Sequence, residues 1–485
     1  MKEKLKIRKK TQEIYMVWIT SLLLGFYAYQ QPFNKLLFEI RQAGIISISV
    51  DSLIENFPLV MRTVMPTVIM WLIVFLAWLV GMWYGTIKNQ GISDILFGRL
   101  INNKCAIDQL FYIGMWIEMI WSSLYYAFFH MPFATILVFI AMQCFAFRII
   151  LMEHSSKEWA WIGILIALGI ACEFYTTRGF VLRAVLLILA SKEIELKRVL
   201  KYYLIVNTIA CTVIICISGL GLAGVWMEEN AYRAVDEVKN RYVWGFNSPN
   251  TTHYVLIRLA LIVIYVWWDK VRLWHIIVLM GTNYVIYMLT DSRTGFMVGT
   301  VAAVLTVFFK YFKKIRDFVL WYWLAIFLII GLAVFSLHFL QWNFYEYDTL
   351  HVCPDYVYKV NDILVGRIHQ ALKFTQDIEI SPIGTRQSGV YCDMGYIKFF
   401  LQEGFLIYFI YIWVVCKLLL WQHKTKDYAG YIIVVAISLR MFMESSFVPF
   451  VFQNVILLLL IGQWPKLMYI TREGDSKYNG NKYEM

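Results

Sequence analysis

Apolar residues in this chain fall in long blocks, with neither the alternation of a half-buried strand nor the narrow stripe of a surface helix. The blocks lie at about 14–30, 64–85, 109–129, 131–152, 158–176, 179–190, 202–226, 252–268, 272–290, 295–309, 318–340, 394–420, 428–447 and 449–469. Crossing the hydrocarbon core of a bilayer takes about 20 mostly apolar residues in a helix. The pattern therefore predicts an all-α, polytopic integral membrane protein with about 12–14 transmembrane helices. Some blocks are short, notably 179–190 and the three between 252 and 309, which predicts tilted, broken or shielded helices.

The polar stretches between blocks sort into two sets if the spans alternate. One set (1–10, 86–106, 153–157, 191–201, 269–272, 310–316, 422–427 and 466–485) holds 26 of the 44 Lys and Arg residues. The other holds 12, although it contains the longest loops. Cytoplasmic loops retain cations, so both termini are expected in the cytoplasm, and segments 30–63, 227–251 and 341–393 outside. Within the last of these, Leu364, Ile368, Ala371, Leu372 and Thr375 recur at helical spacing, predicting an interfacial helix on the outer leaflet. Residues 1–470 read as a single transmembrane domain and 471–485 as a mobile cytoplasmic tail. The basic start runs into the first apolar block without a small-residue cleavage pattern, so that block reads as a retained span.

Composition narrows the function classes. Of 485 residues 60% are apolar and 16% charged, which excludes a water-soluble globule. The net charge of +11 would suggest nucleic acid in a soluble protein, but here the excess sits in the inner loops, so no nucleic-acid partner is expected. There is no CxxC pair, and His338, His351 and Cys353 lack a zinc spacing, so no metal site is predicted. Cys353 and Cys392 share the outer loop, and only their distance decides whether they pair. No Walker A loop or GxGxxG after a strand is present, which argues against nucleotide chemistry at the inner face.

Three polar constellations remain, all on the expected outer side. In Asp291-Ser292-Arg293-Thr294-Gly295, an arginine at headgroup level can hold phosphate bidentately, Ser292 and Thr294 add hydroxyls, and Gly295 lets a ligand approach the backbone. The plainer reading is a polar turn between helices with Arg293 paired to Asp291. In Gly245-Phe246-Asn247-Ser248-Pro249-Asn250-Thr251-Thr252-His253, the Ser/Asn/Thr cluster and Pro249 explain a turn and a helix cap without function. Arg258, one or two turns further in, and His253 at the mouth extend a polar face inward. The third comprises Gly366-Arg367, Ser381 to Arg386, and Asp393-Met394-Gly395-Tyr396, where two arginines can clamp an anionic headgroup and Asp393 can accept a proton. Together Arg233, Arg241, Arg293, Arg367 and Arg386 form a cationic rim facing away from the cytoplasm, against the positive-inside bias. Glu118, Arg148, Glu173, Arg183, Arg440 and Glu444 lie at or near membrane depth and read as structural charge pairs, with ion or proton translocation as the sharper alternative.

These features resemble the Wzy-type polysaccharide polymerases, which belong with the O-antigen ligases to one superfamily of integral-membrane glycosyltransferases. The likeness rests on the basic start, the many spans, the Gly-Phe-Asn-Ser-Pro-Asn turn, Ser292-Arg293-Thr294-Gly295, and the long outer loop with Gly366-Arg367 leading to Asp393-x-x-Tyr396 and Gly404. Such proteins often show His-Pro-Asn where this chain has Ser248-Pro249-Asn250. The resemblance implies polymerisation of oligosaccharide repeat units carried on undecaprenyl diphosphate, at the outer face of the bacterial plasma membrane, to give capsular, exo- or O-antigen polysaccharide. It implies no cofactor, a metal-independent reaction in which guanidinium groups neutralise the leaving diphosphate, and membrane lipids, a flippase and a chain-length regulator as partners. Arg293 and Arg367 are assigned to the diphosphate, with Arg241, Arg258 and Arg386 as helpers, and Ser292, Thr294 and Tyr396 also toward substrate. Asp393 and then His253 are the base candidates. Three further readings stay open: a flippase or transporter for the same lipid-linked sugars, a ligase passing finished glycan to another acceptor, and a non-catalytic membrane scaffold, which would leave the outward arginines unexplained.

Overall fold

The computed structural model describes residues 104–125, 134–176, 180–234, 237–341, 354–364, 366–375, 378, 380–385, 392–445 and 451–469. The expected spans at 14–30 and 64–85, the outer segment 30–63, Arg386, Cys353 and the tail 471–485 lie outside the described residues. Among the described residues six helices are long and apolar enough to cross a membrane, and the chain is an all-α polytopic membrane protein.

By its contacts the chain divides into two units. The smaller one contains the start of α1 (Lys104–Tyr125), most of α2 (Ala134–Leu151) and the start of α3 (Ser156–Thr176). There the fully buried Arg148 of α2 donates to Asp108 at 2.7 Å and lies 5.6 Å from the Phe111 ring centre, a structural pair of the kind expected. The larger unit contains the rest. In order these are α4 (Phe180–Ala190), α5 (Leu196–Gly219), α6 (Pro249–Val266), α7 (Leu273–Thr290), α8 (Arg293–Tyr311) and α9 (Leu320–His338). The short α10 (Asp355–Ile363) and α11 (Arg367–Thr375) follow, then α12 (Gly395–Glu403), α13 (Phe405–Thr425), α14 (Tyr428–Met443), α15 (Val455–Leu458) and α16 (Trp464–Tyr469). Helix α8 packs on α6, α7 and α14, and α6 packs on α7 and α14. Apolar side chains left exposed along α7, such as Ile277 and Met288, suit a lipid-facing surface.

Three local features differ from the sequence expectation. Segment 227–251 is not only a loop: β1 (Met227–Ala234) and β2 (Glu237–Tyr242) form an antiparallel ribbon that places Glu228 opposite Arg241. The block at 394–420 is two helices, broken at Gly404 with φ +90°. A Cβ there would lie 2.3 Å from the Gly384 nitrogen, because segment 381–385 crosses the break. That segment supplies the Ser381 and Pro382 carbonyls to the Phe405 and Leu406 amides at 3.1 Å, satisfying donors that the new helix start leaves open. The block at 449–469 is likewise no single span but a 3-10 turn (Val451–Gln453), then α15 and α16.

The helical stripe foreseen in the long outer loop exists as α11 and the turn before it. Protein takes up its apolar side: Leu364, Ile368, Ala371 and Leu372 are buried with Phe339, Met394, Ile397 and Leu401. That packing fixes Arg367, at the first position of α11, over the ends of the long helices.

Candidate functional site

Local structure accounts for much of the two polar turns. Asp291 is the left-handed C-cap of α7 (φ +50°), and Ser292 is the N-cap of α8, its hydroxyl accepting the Gly295 amide at 3.4 Å. Gly295 makes room for protein rather than ligand: a Cβ there would sit 2.6 Å from Cγ of His253. Two residues of the five remain for outward chemistry. Arg293 is exposed, and no described residue bonds to it. Thr294 is buried and turns its hydroxyl toward Arg367. In the other turn Ser248 caps α6 by accepting the Thr251 amide at 3.2 Å, Pro249 occupies the first helical position, and Thr252 donates to the Val243 carbonyl at 2.6 Å. Asn250 is left over.

What is left over converges. Arg241 of β2 donates from Nε to the Thr290 carbonyl at 3.0 Å, capping α7 with a cation as the helix dipole favours, and reaches Asn250 Oδ1 at 3.4 Å. Asn250 in turn donates to Glu444 Oε1 at 3.1 Å. The same oxygen accepts from Arg367 at 2.7 Å, and the donating Arg367 nitrogen also lies 3.4 Å from the Thr294 hydroxyl. The other terminal nitrogen of Arg367, Nη1, is buried without a partner among the described residues. Glu444 is the C-cap of α14 and is buried. A carboxylate at a helix C-terminus opposes the dipole, so its place depends on the two donors that hold it.

Half-buried Asp393, beside the start of α12, belongs electrostatically to this cluster. Burial raises its carboxyl above the usual carboxylate range, the Glu444 charge raises it further, and Arg367 and Lys398 pull the other way. Burial lowers Arg241 from the ordinary arginine value, with Glu228 and Glu444 opposing. The arrangement can hold an anion that competes with Glu444 for Arg367 and Arg241, and it presents a carboxylate of raised proton affinity beside that place.

His253, Arg258 and Tyr396 are not brought into the cluster. His253 is fully buried behind it, Nε2 bonded to Asn283 Oδ1 at 2.9 Å and Nδ1 lying 3.3 Å from the Thr290 hydroxyl. Asn283 is fixed by donating to the Phe296 carbonyl at 3.0 Å, so the imidazole locks α6, α7 and α8 together. Arg258 lies deeper, bonded to Asn207 at 3.2 Å and stacked with its charge over Tyr203 and Tyr254. Tyr396 is buried in the packing of α12, against Tyr408. Arg233 lies on β1. Cys392 is a free, buried thiol that donates to the Met394 carbonyl at 3.4 Å.

Sequence reasoning passed over Glu444 and Asn250 as site residues. Asn250 stood inside a turn that capping already explained. Glu444 reads from the sequence as one more membrane-depth charge. Its signal was position: on the alternating topology the end of block 428–447 faces the same side as the arginines.

No family model matches the chain, and no curated protein or solved structure matches it either.

Proposed function

We propose that the protein is an integral-membrane glycosyltransferase that polymerises undecaprenyl-diphosphate-linked repeat units at the outer face of the bacterial plasma membrane, with both termini in the cytoplasm. The observation that carries this reading is Arg367. One of its terminal nitrogens is held by Glu444, the other is buried without a partner among the described residues, and Arg241 lies on the same carboxylate network. Exposed Arg293 opens the same helix end. In this reading the acceptor sugar hydroxyl attacks the anomeric carbon of the donor chain, the bond from that carbon to the diphosphate oxygen breaks, and the diphosphate leaves on its lipid. Asp393 takes the hydroxyl proton, and Arg367, Arg241 and Arg293 hold the departing charge in a site of low dielectric, where such contacts are strongest. Glu444 holds half-buried Arg367 directly, and half-buried Arg241 through Asn250, until the diphosphate competes for them. His253, Arg258 and Tyr396 serve by packing.

Purified protein incubated with a lipid-linked repeat unit tests this. Multimers of the repeat are expected, and their loss in Arg367→Ala at unchanged expression. Unchanged monomer with wild-type protein, or substrate moved between leaflets without coupling, overturns polymerisation in favour of transport.

A further inference from the structure

The opposite end of the same helices carries a second polar opening. Helix α6 spans 18 residues, about 27 Å at 1.5 Å per residue, and separates it from the arginine cluster. At this end lies a cavity of about 350 Å³ lined by the start of α5, the last turns of α6 and α13, the first residues of α14, and Leu459, Gln463 and Lys466. The described segments that meet here (191–201, 269–272, 422–427 and the residues around Lys466) all belong to the cation-rich set.

Three exposed lysines line it: Lys197, Lys426 and Lys466. Lys466 is braced over the Trp421 ring at 5.8 Å. Lys426 has φ +56°, a left-handed conformation that glycine or asparagine adopts at lower cost, so a lysine is kept there against backbone preference. Two carboxylates also line the cavity. Asp427 is committed to the Tyr265 hydroxyl at 3.1 Å and the Gly430 amide at 2.9 Å, and Asp269 is exposed in the turn after α6. Lys426 lies 3.7 Å from Asp317, which is outside the lining. The cavity also contains Gln422, 1% exposed, whose Oε1 and Nε2 both lack a partner among the described residues. A buried amide with neither hydrogen-bonding atom satisfied is costly in a folded protein, and a group carrying both an acceptor and a donor would satisfy it. Leu196, Leu418 and Leu459 make the remaining wall apolar.

We infer that this cavity binds a phosphate group that carries a neighbouring hydroxyl, supplied by an anionic phospholipid headgroup such as phosphatidylglycerol. The lysines meet the phosphate, the Gln422 amide nitrogen donates to it, and the Gln422 oxygen accepts the headgroup hydroxyl. Basic pockets between helices on the cytoplasmic side are where anionic headgroups are held. The inference does not rest on the polymerase reading, and its test reads binding rather than activity.

The full chain in detergent is melted with dioleoylphosphatidylglycerol, with dioleoylphosphatidylcholine, and with glycerol 3-phosphate as the soluble source. Stabilisation by phosphatidylglycerol over phosphatidylcholine is expected. An equal response to glycerol 3-phosphate keeps the site and assigns its occupant to the soluble pool. Each lysine near a membrane surface contributes about fivefold, so Lys197→Ala with Lys466→Ala should weaken the response about 25-fold. Gln422→Leu should lose the phosphatidylglycerol preference while melting in phosphatidylcholine no lower than wild type, which separates a ligand role from a packing role. Equal melting of wild type in both lipids without a glycerol 3-phosphate response, or an undiminished response in these variants, overturns the inference.

Discussion

Two ion pairs in the larger unit, one buried and one half-buried, have the same chemistry and different surroundings. Glu118 of α1 and Arg183 of α4 meet at two points, 3.0 and 2.5 Å, with side chains 3% and 10% exposed, and leave no buried polar atom unpartnered. Glu444 and Arg367 meet at one point, 2.7 Å, and that carboxylate oxygen is shared with Asn250 while Arg367 Nη1 has no partner among the described residues. The first pair is closed. The second keeps hydrogen-bonding capacity in reserve, next to a half-buried carboxylate, at one end of the helix bundle. Charge at membrane depth therefore does not by itself mark a functional site; what sets the second pair apart is spare hydrogen-bonding capacity beside Asp393, Arg241 and exposed Arg293 at one end of the bundle.

Breaking the closed pair should produce the largest effect on stability. Glu118→Ala leaves a buried guanidinium and should cost about 3–5 kcal/mol, whereas Glu118→Leu combined with Arg183→Met should be near neutral, because well-packed apolar residues commonly replace such pairs without loss. Thermal melting of the two variants checks this, and equal losses would contradict a purely structural pair. The open pair should respond in activity instead. Arg367→Ala should lower polymer formation by about 10²–10³-fold, the usual loss when one preorganised donor to a developing anion is removed. Repeat-unit ladders on a gel measure it.

Asp393→Asn should give the next effect, a fall in rate of about 10²-fold if the carboxylate takes the acceptor proton. Its effect on stability has a definite sign. The folded protein raises this carboxyl above 3.8, through burial first and Glu444 second, so folding favours the protonated form. That contribution is fully present below 3.8 and is lost as pH rises through the folded value. Wild type should therefore melt below Asp393→Asn at neutral pH, and the gap should close as pH approaches 4. A gap that widens on acidification would refute the assignment of burial as the cause.

The sequence made the spans around 196–338 legible because lipid imposes one requirement everywhere: length, uniform apolarity and internal backbone bonding. It was silent where tertiary contacts override that pattern. The break at Gly404 depends on carbonyls of segment 381–385, and nothing in the apolar run 394–420 reports a partner twenty residues away. At the site, the arginines were legible as cations in the loop set that holds few of them. Their partner Glu444 was not, because a carboxylate ending an apolar block has the same signature whether it caps a helix or holds a ligand's place. The converse error concerns Gly295, whose reason is the His253 ring and not a ligand.

That glycine provides the smallest and most local test of the comparison. Alanine at 295 would put a Cβ 2.6 Å from Cγ of an imidazole that is itself bonded to Asn283, so α8 must shift away from α6. Overpacking of this kind costs about 1–3 kcal/mol. The shift begins one residue from Thr294, which touches Arg367, so the open pair should loosen while Glu118 and Arg183 stay as they are. Gly295→Ala is thus expected to lower the melting temperature modestly and to weaken donor binding more than turnover. Adding His253→Ala removes the ring the new methyl meets and should restore part of the binding, although Asn283 then loses its acceptor bond. If Gly295→Ala leaves donor binding untouched, the position of the α8 start does not control Arg367, and the cluster is looser than its hydrogen bonds imply.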